Sequence, residues 1–513
     1  MQVLGDIIRL GAKRYGERAA VILGEDQLSY RRLDEQSNRL AQGLIATGVW
    51  PGDHVALFAL NCLDYVIVAA AVAKCGAVLL PINFRYQSEE LVYVINDAKP
   101  RVLIFGPQFT DLITAAKGRF SAPPRLISLS GATTSDWIGY DDLLGGGADQ
   151  MPERLVDARG PAALVYTSGT TGTPKGVLYP HLSYLATYQA LIVEGDLEPG
   201  DVTLVCLPLF HQAGLHALVM PTLMMGGTVI LTAGGFDPGE ILTLTAAHRV
   251  TATMWVPTML AMLANLPDVA RHDLSALAKI WYGSSPISPT VLEASKAVFG
   301  AGLYQWYGQT ETGMNSVLRP EDHETRAAFT GREVFNIELR FVDEAGNDVG
   351  VGEVGEIVCS TANQGMIEYF NQPEATAATV VDGWVHTGDL ARLEEGGYFT
   401  VVDRLRDMII SGAENIYPKE IEDIIAAHPA VREVAVFGAP DEVYGEAVCA
   451  AVALKDGADA TTEDIIGHCA DKLAGYKKPK QVEFHAELPK NAMGKVTKNV
   501  LREPHWAGRD KRI

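Results

Sequence analysis

Short apolar runs alternate with longer, helix-spaced stretches over the first 130 residues. The runs at 54–61 (HVALFALN), 77–83 (AVLLPIN), 101–106 (RVLIFG) and 125–130 (RLISLS) predict buried strands, and 63–76 (LDYVIVAAAVAKCG) predicts a helix between the first two. Parallel strands need crossover connections, so this alternation predicts α/β layers. From about residue 329 the texture shifts to short strands broken by turn residues, in IELRFVDEAGNDVG, GEIVCS and WVHTGDLARLEEGGYFTVVDR. That stretch predicts a β-rich subdomain. Beyond Arg406 the pattern is mixed again, with a helix over 418–428 and strands over 432–440 and 447–455.

Composition narrows the function classes. The chain has 513 residues, room for about three structural units. Its 42 Lys and Arg against 63 Asp and Glu give a net charge of −21, which argues against general nucleic-acid binding. Hydrophobic residues at 48% and charged residues at 20% are ordinary globular usage. The most apolar stretch, Tyr65 to Ala73, stops at Lys74, well short of the ~20 residues that span a bilayer, and the N-terminus lacks a signal-peptide core. The six cysteines are scattered without a CxxC pair, as expected of reduced core thiols. These features predict a cytoplasmic protein without stable membrane insertion. Residues 472–512 are an exception to the acidic balance, with 11 basic and four acidic side chains, and suit a lid that meets an anionic ligand.

The segment 163–181, ALVYTSGTTGTPKGVLYPH, carries the strongest chemical signal. A strand over roughly 162–166 leads into the loop Thr167 to Gly176, and a helix is expected from about 182. Glycines let backbone N–H groups turn inward, Ser168, Thr170 and Thr171 add hydroxyls, and Lys175 adds charge, a combination suited to a polyphosphate. Pro174 and Gly176 flank Lys175 where a Walker A loop would carry Gly and Ser or Thr. By contrast, Gly350–Gly355 matches G-x-G-x-x-G but follows a polar turn and leads into a strand, so it predicts a β-turn.

The Thr167–Gly176 loop closely resembles the phosphate loop of the adenylate-forming enzymes, which include acyl-CoA synthetases, peptide-synthetase adenylation domains and beetle luciferases. Four further segments are similar to that family's motifs, in family order: Tyr307-Gly308-Gln309-Thr310-Glu311; Trp384-Val385-His386-Thr387-Gly388-Asp389; Asp403-Arg404-Leu405-Arg406-Asp407 running into Ser411-Gly412-Ala413-Glu414-Asn415; and Pro489 to Lys495. The resemblance implies an α/β fold with a large N-terminal domain over 1–403. That domain would hold two layered α/β subdomains and a β-rich, barrel-like subdomain over about 329–403. A hinge over 404–406 centred on Arg406 would join it to a small, mobile α+β lid domain over 407–513.

It also implies a set of roles. Lys495 would bridge the substrate carboxylate and the α-phosphate of ATP, offsetting the charge of the transition state. Thr310 would donate to a phosphate oxygen, and Glu311, with Thr170, would hold Mg²⁺ on the phosphates. Thr167, Ser168, Gly169, Thr170, Thr171, Gly172 and Lys175 would cradle those phosphates. Asp389 would accept the ribose hydroxyls with Arg404 nearby. Tyr307 would pack on adenine with Gly308, Gln309 and the Gly283-Ser284-Ser285 turn around the nucleotide. Gly412, Ala413 and Glu414 would help form the path for the CoA thiol once the lid has rotated.

For the acid, the resemblance places the pocket wall at Leu207 to Gly214. His211 stands near the position where amino-acid-activating relatives carry an Asp, which disfavours an amino acid and resembles an aromatic gate. Met224, Trp255, Tyr282, Trp306, Gly308 and Met314 complete the nominated acyl pocket, whose apolar and aromatic lining suits a benzoate, hydroxycinnamate or medium-chain acid. The expected activity is an ATP-dependent carboxylic acid:CoA ligase, with ATP, Mg²⁺ and CoA as cofactor and co-substrates. Alternatives are an acyl-AMP ligase that loads a separate carrier protein, a luciferase-like oxygenase and a malonate-type dicarboxylate ligase. The last is disfavoured because the pocket strand offers only Lys279 to a second carboxylate. The sequence leaves a homodimer open.

Overall fold

The computed structural model describes every residue except 132, 168–173, 286, 412–413, 442–443, 471, 491–495 and 508–513. Contacts divide the chain into two units, residues 1–339 with 359–385 and residues 340–358 with 386–513. The resemblance implies a boundary after 403, whereas this division assigns 340–358 and 386–403 to the same unit as the C-terminal residues.

The first unit contains two sheets. One runs, in spatial order, Glu368–Tyr369, Lys175–Pro180, Pro161–Thr167, Val78–Pro81, His54–Phe58, Val102–Phe105, Arg125–Ser128 and Ile138–Gly139. The predicted runs form its parallel centre, and Val78–Pro81 and Val102–Phe105 are buried at every position, as parallel strands covered on both faces must be. The helix Leu63–Cys75 between the first two strands is apolar nearly all round and ends at Gly76, whose φ of 75° closes the helix in the left-handed region. The second sheet orders Asp26–Ser29, Ala19–Leu23, Thr228–Leu231, Val202–Val205, Ala252–Met254, Lys279–Gly283, Gly302–Gln309, Gly313–Leu318 and Gly331–Glu333. Its middle pairs are parallel, and its last hairpin, Gly302–Gln309 with Gly313–Leu318, is antiparallel.

In the second unit, the strands Leu339–Val342, Val354–Ser360, Trp384–Leu393 and Tyr398–Arg404 pair in that order. The Gly350–Gly355 segment is the expected turn into Val354–Ser360. A further sheet orders Glu414–Ile416, Ile409–Ser411, Gly445–Leu454 and Val431–Asp441, with Gln481–Phe484 parallel to Gly445–Leu454. Alternation along its strands makes two apolar faces. Val436, Val448, Ala450 and Val452 pack with Ile421 and Ile425 of helix Pro418–Ala426, while Phe437, Cys449 and Ala451 pack with Leu501 of helix Lys498–Trp506. All six cysteines are free thiols. No helix among the described residues is long and apolar enough to cross a membrane.

Lys74 is fully buried. Its ammonium donates to Asp34 Oδ1 at 2.6 Å, Ser37 Oγ at 2.7 Å, Asn38 Oδ1 at 2.7 Å and the Asp34 carbonyl at 3.1 Å. Burial pushes its pKa down to about 8, against the pull of Asp34. The unfolded chain therefore binds this proton more tightly, and the site's contribution to stability rises as pH climbs from about 8 to the ordinary 10.5. Denaturant unfolding at several pH values should show the native chain gaining on Lys74→Met by roughly 3 kcal/mol across that window. A pH-independent difference would contradict this.

Candidate active site

The loop 168–174 joins two antiparallel strands, Pro161–Thr167 and Lys175–Pro180, with Thr167 opposite Lys175. Sequence reasoning foresaw the first strand and the following helix, His181–Glu194, but not the return strand between them. Ser168, Gly169, Thr170, Thr171 and Gly172 lie outside the described residues. At the mouth of the hairpin, the Lys175 ammonium sits 4.8 Å from the centroid of the Tyr369 ring. Tyr369 belongs to the edge strand Glu368–Tyr369, paired with Val177, and its hydroxyl donates to Glu311 Oε1 at 2.9 Å. Burial and the Glu311 carboxylate raise the Tyr369 pKa, keeping the hydroxyl a donor. One tyrosine, with no local motif to announce it, thus links the phosphate loop's lysine to the carboxylate of the second motif.

That second motif is a tight turn at the end of the hairpin Gly302–Gln309 and Gly313–Leu318. Two glycines make the turn possible. A Cβ on Gly308 would lie 2.1 Å from the Gly313 carbonyl oxygen. Gly313, at φ 78°, is walled by the Gln364 Oε1, Tyr179 hydroxyl and Thr187 Oγ1. Gln364 is fully buried, accepts from Thr187 Oγ1 at 3.0 Å and from the Met314 N–H at 3.3 Å, and donates to Asn336 Oδ1 at 2.9 Å. It braces the turn from about 50 residues away in sequence. Tyr307 and Thr310 are half-buried around the same turn. On the neighbouring strand, Gly283 lets the Trp306 carbonyl approach to where a Cβ would sit 2.3 Å away, and Ser284 takes the left-handed region at φ 66°. A non-glycine residue held there is strained, as functional turns often are.

The acyl-side nominees separate into two groups. His211 and Gln212 precede a π-helical stretch, Ala213–Val219, a geometry common at functional sites. The His211 Nδ1 accepts from the Ala213 N–H at 3.2 Å, and burial pushes its pKa down to about 4, so the ring is neutral. Gln212 accepts from the Tyr184 hydroxyl at 3.0 Å, and the Tyr184 ring stacks on His216 at 3.9 Å between centroids. His216, unremarked in the sequence, pairs its Nδ1 with the Tyr188 hydroxyl at 2.5 Å. Trp255 and Tyr282, by contrast, lie in the hydrophobic core cluster of the second sheet. Trp255 packs on Phe299, and the Tyr282 hydroxyl is shared with Gln305 and His323, so core packing accounts for both. Trp306 is buried against Trp281, while Met224 and Met314 are half-buried.

In the second unit, Asp389 and Arg404 face one another across antiparallel strands, with Arg404 Nε 3.2 Å from Asp389 Oδ1. Glu356 braces this pair's approach: it accepts from the Gly388 N–H at 2.9 Å and pairs with His386 Nδ1 at 2.7 Å. Gly388 stands at φ 68°, and its carbonyl accepts from the Leu405 N–H at 2.8 Å. Arg406 sits in the turn after the second strand, where burial and the Arg404 charge depress its pKa while Asp407 and Asp389 oppose that. The Arg502 guanidinium donates to the Arg406 carbonyl at 3.1 Å. Gly412, Ala413 and Lys495 lie outside the described residues, and Glu414 opens the strand Glu414–Ile416.

The AMP-binding enzyme family model matches residues 8–370, and the AMP-binding enzyme C-terminal domain matches residues 420–495. The chain belongs to the AMP-binding enzyme family. It is 38% identical to a feruloyl-CoA synthase of Amycolatopsis sp over 94% of this chain and 95% of that one. It is 34% identical to the fatty acid–[acyl-carrier-protein] ligase ScoC of Streptomyces coeruleorubidus over 100% of this chain and 98% of the relative. Among solved structures, the anthranilate CoA ligase AuaEII in complex with anthranoyl-AMP superposes with a TM-score of 0.91 at 26% identity, covering 98% of this chain and 97% of that one. The expected α/β architecture and adenylate-forming family are thus borne out.

For an AMP-binding enzyme, the Lys175–Tyr369–Glu311 linkage generates a direct test. A hydrogen bond to a charged group contributes ~1.5–3 kcal/mol. Tyr369→Phe should therefore slow ATP-dependent pyrophosphate release about tenfold or more, with the melting midpoint little changed. Unchanged release would make the linkage purely structural.

Proposed function

We propose that this enzyme is an ATP-dependent carboxylic acid:CoA ligase acting on an aromatic monocarboxylic acid. The observation that carries the reading is the assembly at the hairpin mouth, where a lysine and a carboxylate meet on one tyrosine beside a glycine- and hydroxyl-rich loop. A carboxylate oxygen of the acid attacks the α-phosphorus of ATP and pyrophosphate leaves. The CoA sulfur then attacks the acyl carbon of the adenylate, AMP leaves, and the thiol proton passes to solvent.

In this reading Lys175 and the loop hold the β- and γ-phosphates, Asp389 accepts the ribose hydroxyls with Arg404 orienting it, and Lys495 bridges the two reacting anions. Glu311 offers the hard oxygen that magnesium prefers, and the Tyr369 hydroxyl anchors its Oε1. When bound, magnesium supplies charge neutralisation on the phosphates. Arg406 is the proposed hinge, and Gly412, Ala413 and Glu414 the proposed thiol path.

Three features support an aromatic acid. His211 is neutral, and the buried Tyr184 and His216 rings stack beside Gln212, an uncharged and aromatic setting. The feruloyl-CoA synthase relative acts, by its name, on an aromatic acid. Lys279 is already committed: its ammonium bonds both oxygens of Asp201, at 2.7 and 3.0 Å, leaving no reason to assign it a substrate's second carboxylate. The ScoC relative makes an acyl-carrier-protein acceptor the competing reading.

Pyrophosphate release with Mg-ATP, measured on benzoates, hydroxycinnamates, fatty acids and malonate, each with and without CoA, tests the proposal. Turnover to a CoA thioester on the aromatic set is expected. A thioester formed only on an added carrier protein, or turnover confined to malonate, would overturn it.

A further inference from the structure

The second apolar face of the C-terminal sheet carries a polar cluster that adenylation does not use. Cys449 Sγ, a carboxylate oxygen of Glu483 and a ring nitrogen of His505 all lie within 4.8 Å of one another. They come from three elements: Gly445–Leu454, Gln481–Phe484 and helix Lys498–Trp506. His505 Nε2 is 3.0 Å from Glu483 Oε1, and the Phe437 ring packs beside the imidazole at 5.4 Å between centroids. A second histidine converges on the same carboxylate. His485 Nε2 is 3.5 Å from Glu483 Oε2, is out of contact with solvent and makes no hydrogen bond to any described residue.

We infer that Cys449, Glu483, His485 and His505 form a binding site for a single divalent cation of borderline softness, of which zinc is the type. One thiolate, two imidazoles and a carboxylate are a tetrahedral zinc donor set. In such a site the donor atoms stand about 3.5 Å apart, so Cys449, Glu483 and His505, now within 4.8 Å of one another, would draw in by about 1 Å, and His485, anchored beside Glu483 Oε2, would turn in as the fourth donor. The thiol is buried at the base, while Glu483 and the two histidines are a fifth to a third exposed and open a path for the ion from solvent. The set also has a consequence for the enzyme. Glu483 and His485 precede the Pro489–Lys495 motif in sequence and His505 follows it, so one bound ion would tie the strand entering that motif to the helix leaving it. This inference does not depend on which acid the enzyme activates.

The test uses the full chain, treated with chelator and then titrated with zinc alone against a chromophoric competitor. Binding of one zinc per chain is expected, with a rise in melting midpoint. Cobalt in place of zinc should give a near-ultraviolet thiolate-to-metal band. Cys449→Ser should abolish that band, and His505→Ala and His485→Ala should each weaken zinc binding at least about tenfold. Cys469→Ser, which removes a buried thiol on the sheet's other face, should change nothing. Absence of zinc binding or of the cobalt–thiolate band in the unsubstituted chain would overturn the assignment whatever the variants do. So would binding that survives Cys449→Ser and His505→Ala at full strength.

Discussion

A carboxylate and a triphosphate repel one another, and this chain brings a net charge of −21 to the problem of joining them. Long-range attraction cannot supply the answer, so it must be local: donors and cations fixed in place before the anions arrive, where they cost no reorganisation during reaction. The arrangement around Glu311 follows that logic. A tyrosine held by strand pairing fixes the carboxylate with its hydroxyl and offers its ring face to Lys175. Neither charged group is left to find its own position. In the second unit the same economy appears at Asp389, where Arg404 supports the carboxylate and Glu356 fixes the turn that presents it.

The supporting residues share a physical character. Gln364, Tyr369 and Glu356 make their key contacts through side chains on elements distant in sequence, and each bonds to backbone or to a charged group of one of the motifs. The region proposed for the acid side is built differently. There the chain places neutral, stacked rings, with burial holding His211 uncharged. On the proposed assignment, charge is concentrated on the phosphate side and withheld on the acid side, an arrangement suited to a nucleotide and an apolar acid together.

Much of this was legible in the amino-acid order. Continuous apolar runs such as 55–58 and 102–105 are buried parallel strands because only strands covered on both faces are apolar at every position. The glycine- and hydroxyl-rich loop announced anion chemistry because few other uses need that composition. What stayed hidden was set by distance along the chain. Tyr369 lies 58 residues from Glu311, and nothing around it marks it as that carboxylate's partner. Lys74 ends an apolar run in the sequence, yet it is buried because Asp34, Ser37 and Asn38 supply partners from another helix. Trp255 and Tyr282 suit a pocket by residue type and lie in the core cluster of the second sheet, because an aromatic on or beside a central strand carries no mark of which layer it fills. The Cys449 cluster was invisible for the same reason, since its four side chains span 57 residues and match no ligand spacing.

On the proposed function, activation of the acid and transfer to the thiol are separate chemical steps served by different residues, and Lys495 is needed only where two anions meet. The most direct measurement compares Lys495→Ala with the native chain in both half-reactions. Pyrophosphate release from acid and Mg-ATP should fall roughly 100-fold or more. Thioester formation from supplied acyl-adenylate and CoA should proceed at close to the native rate. An equal loss in both half-reactions would contradict the account.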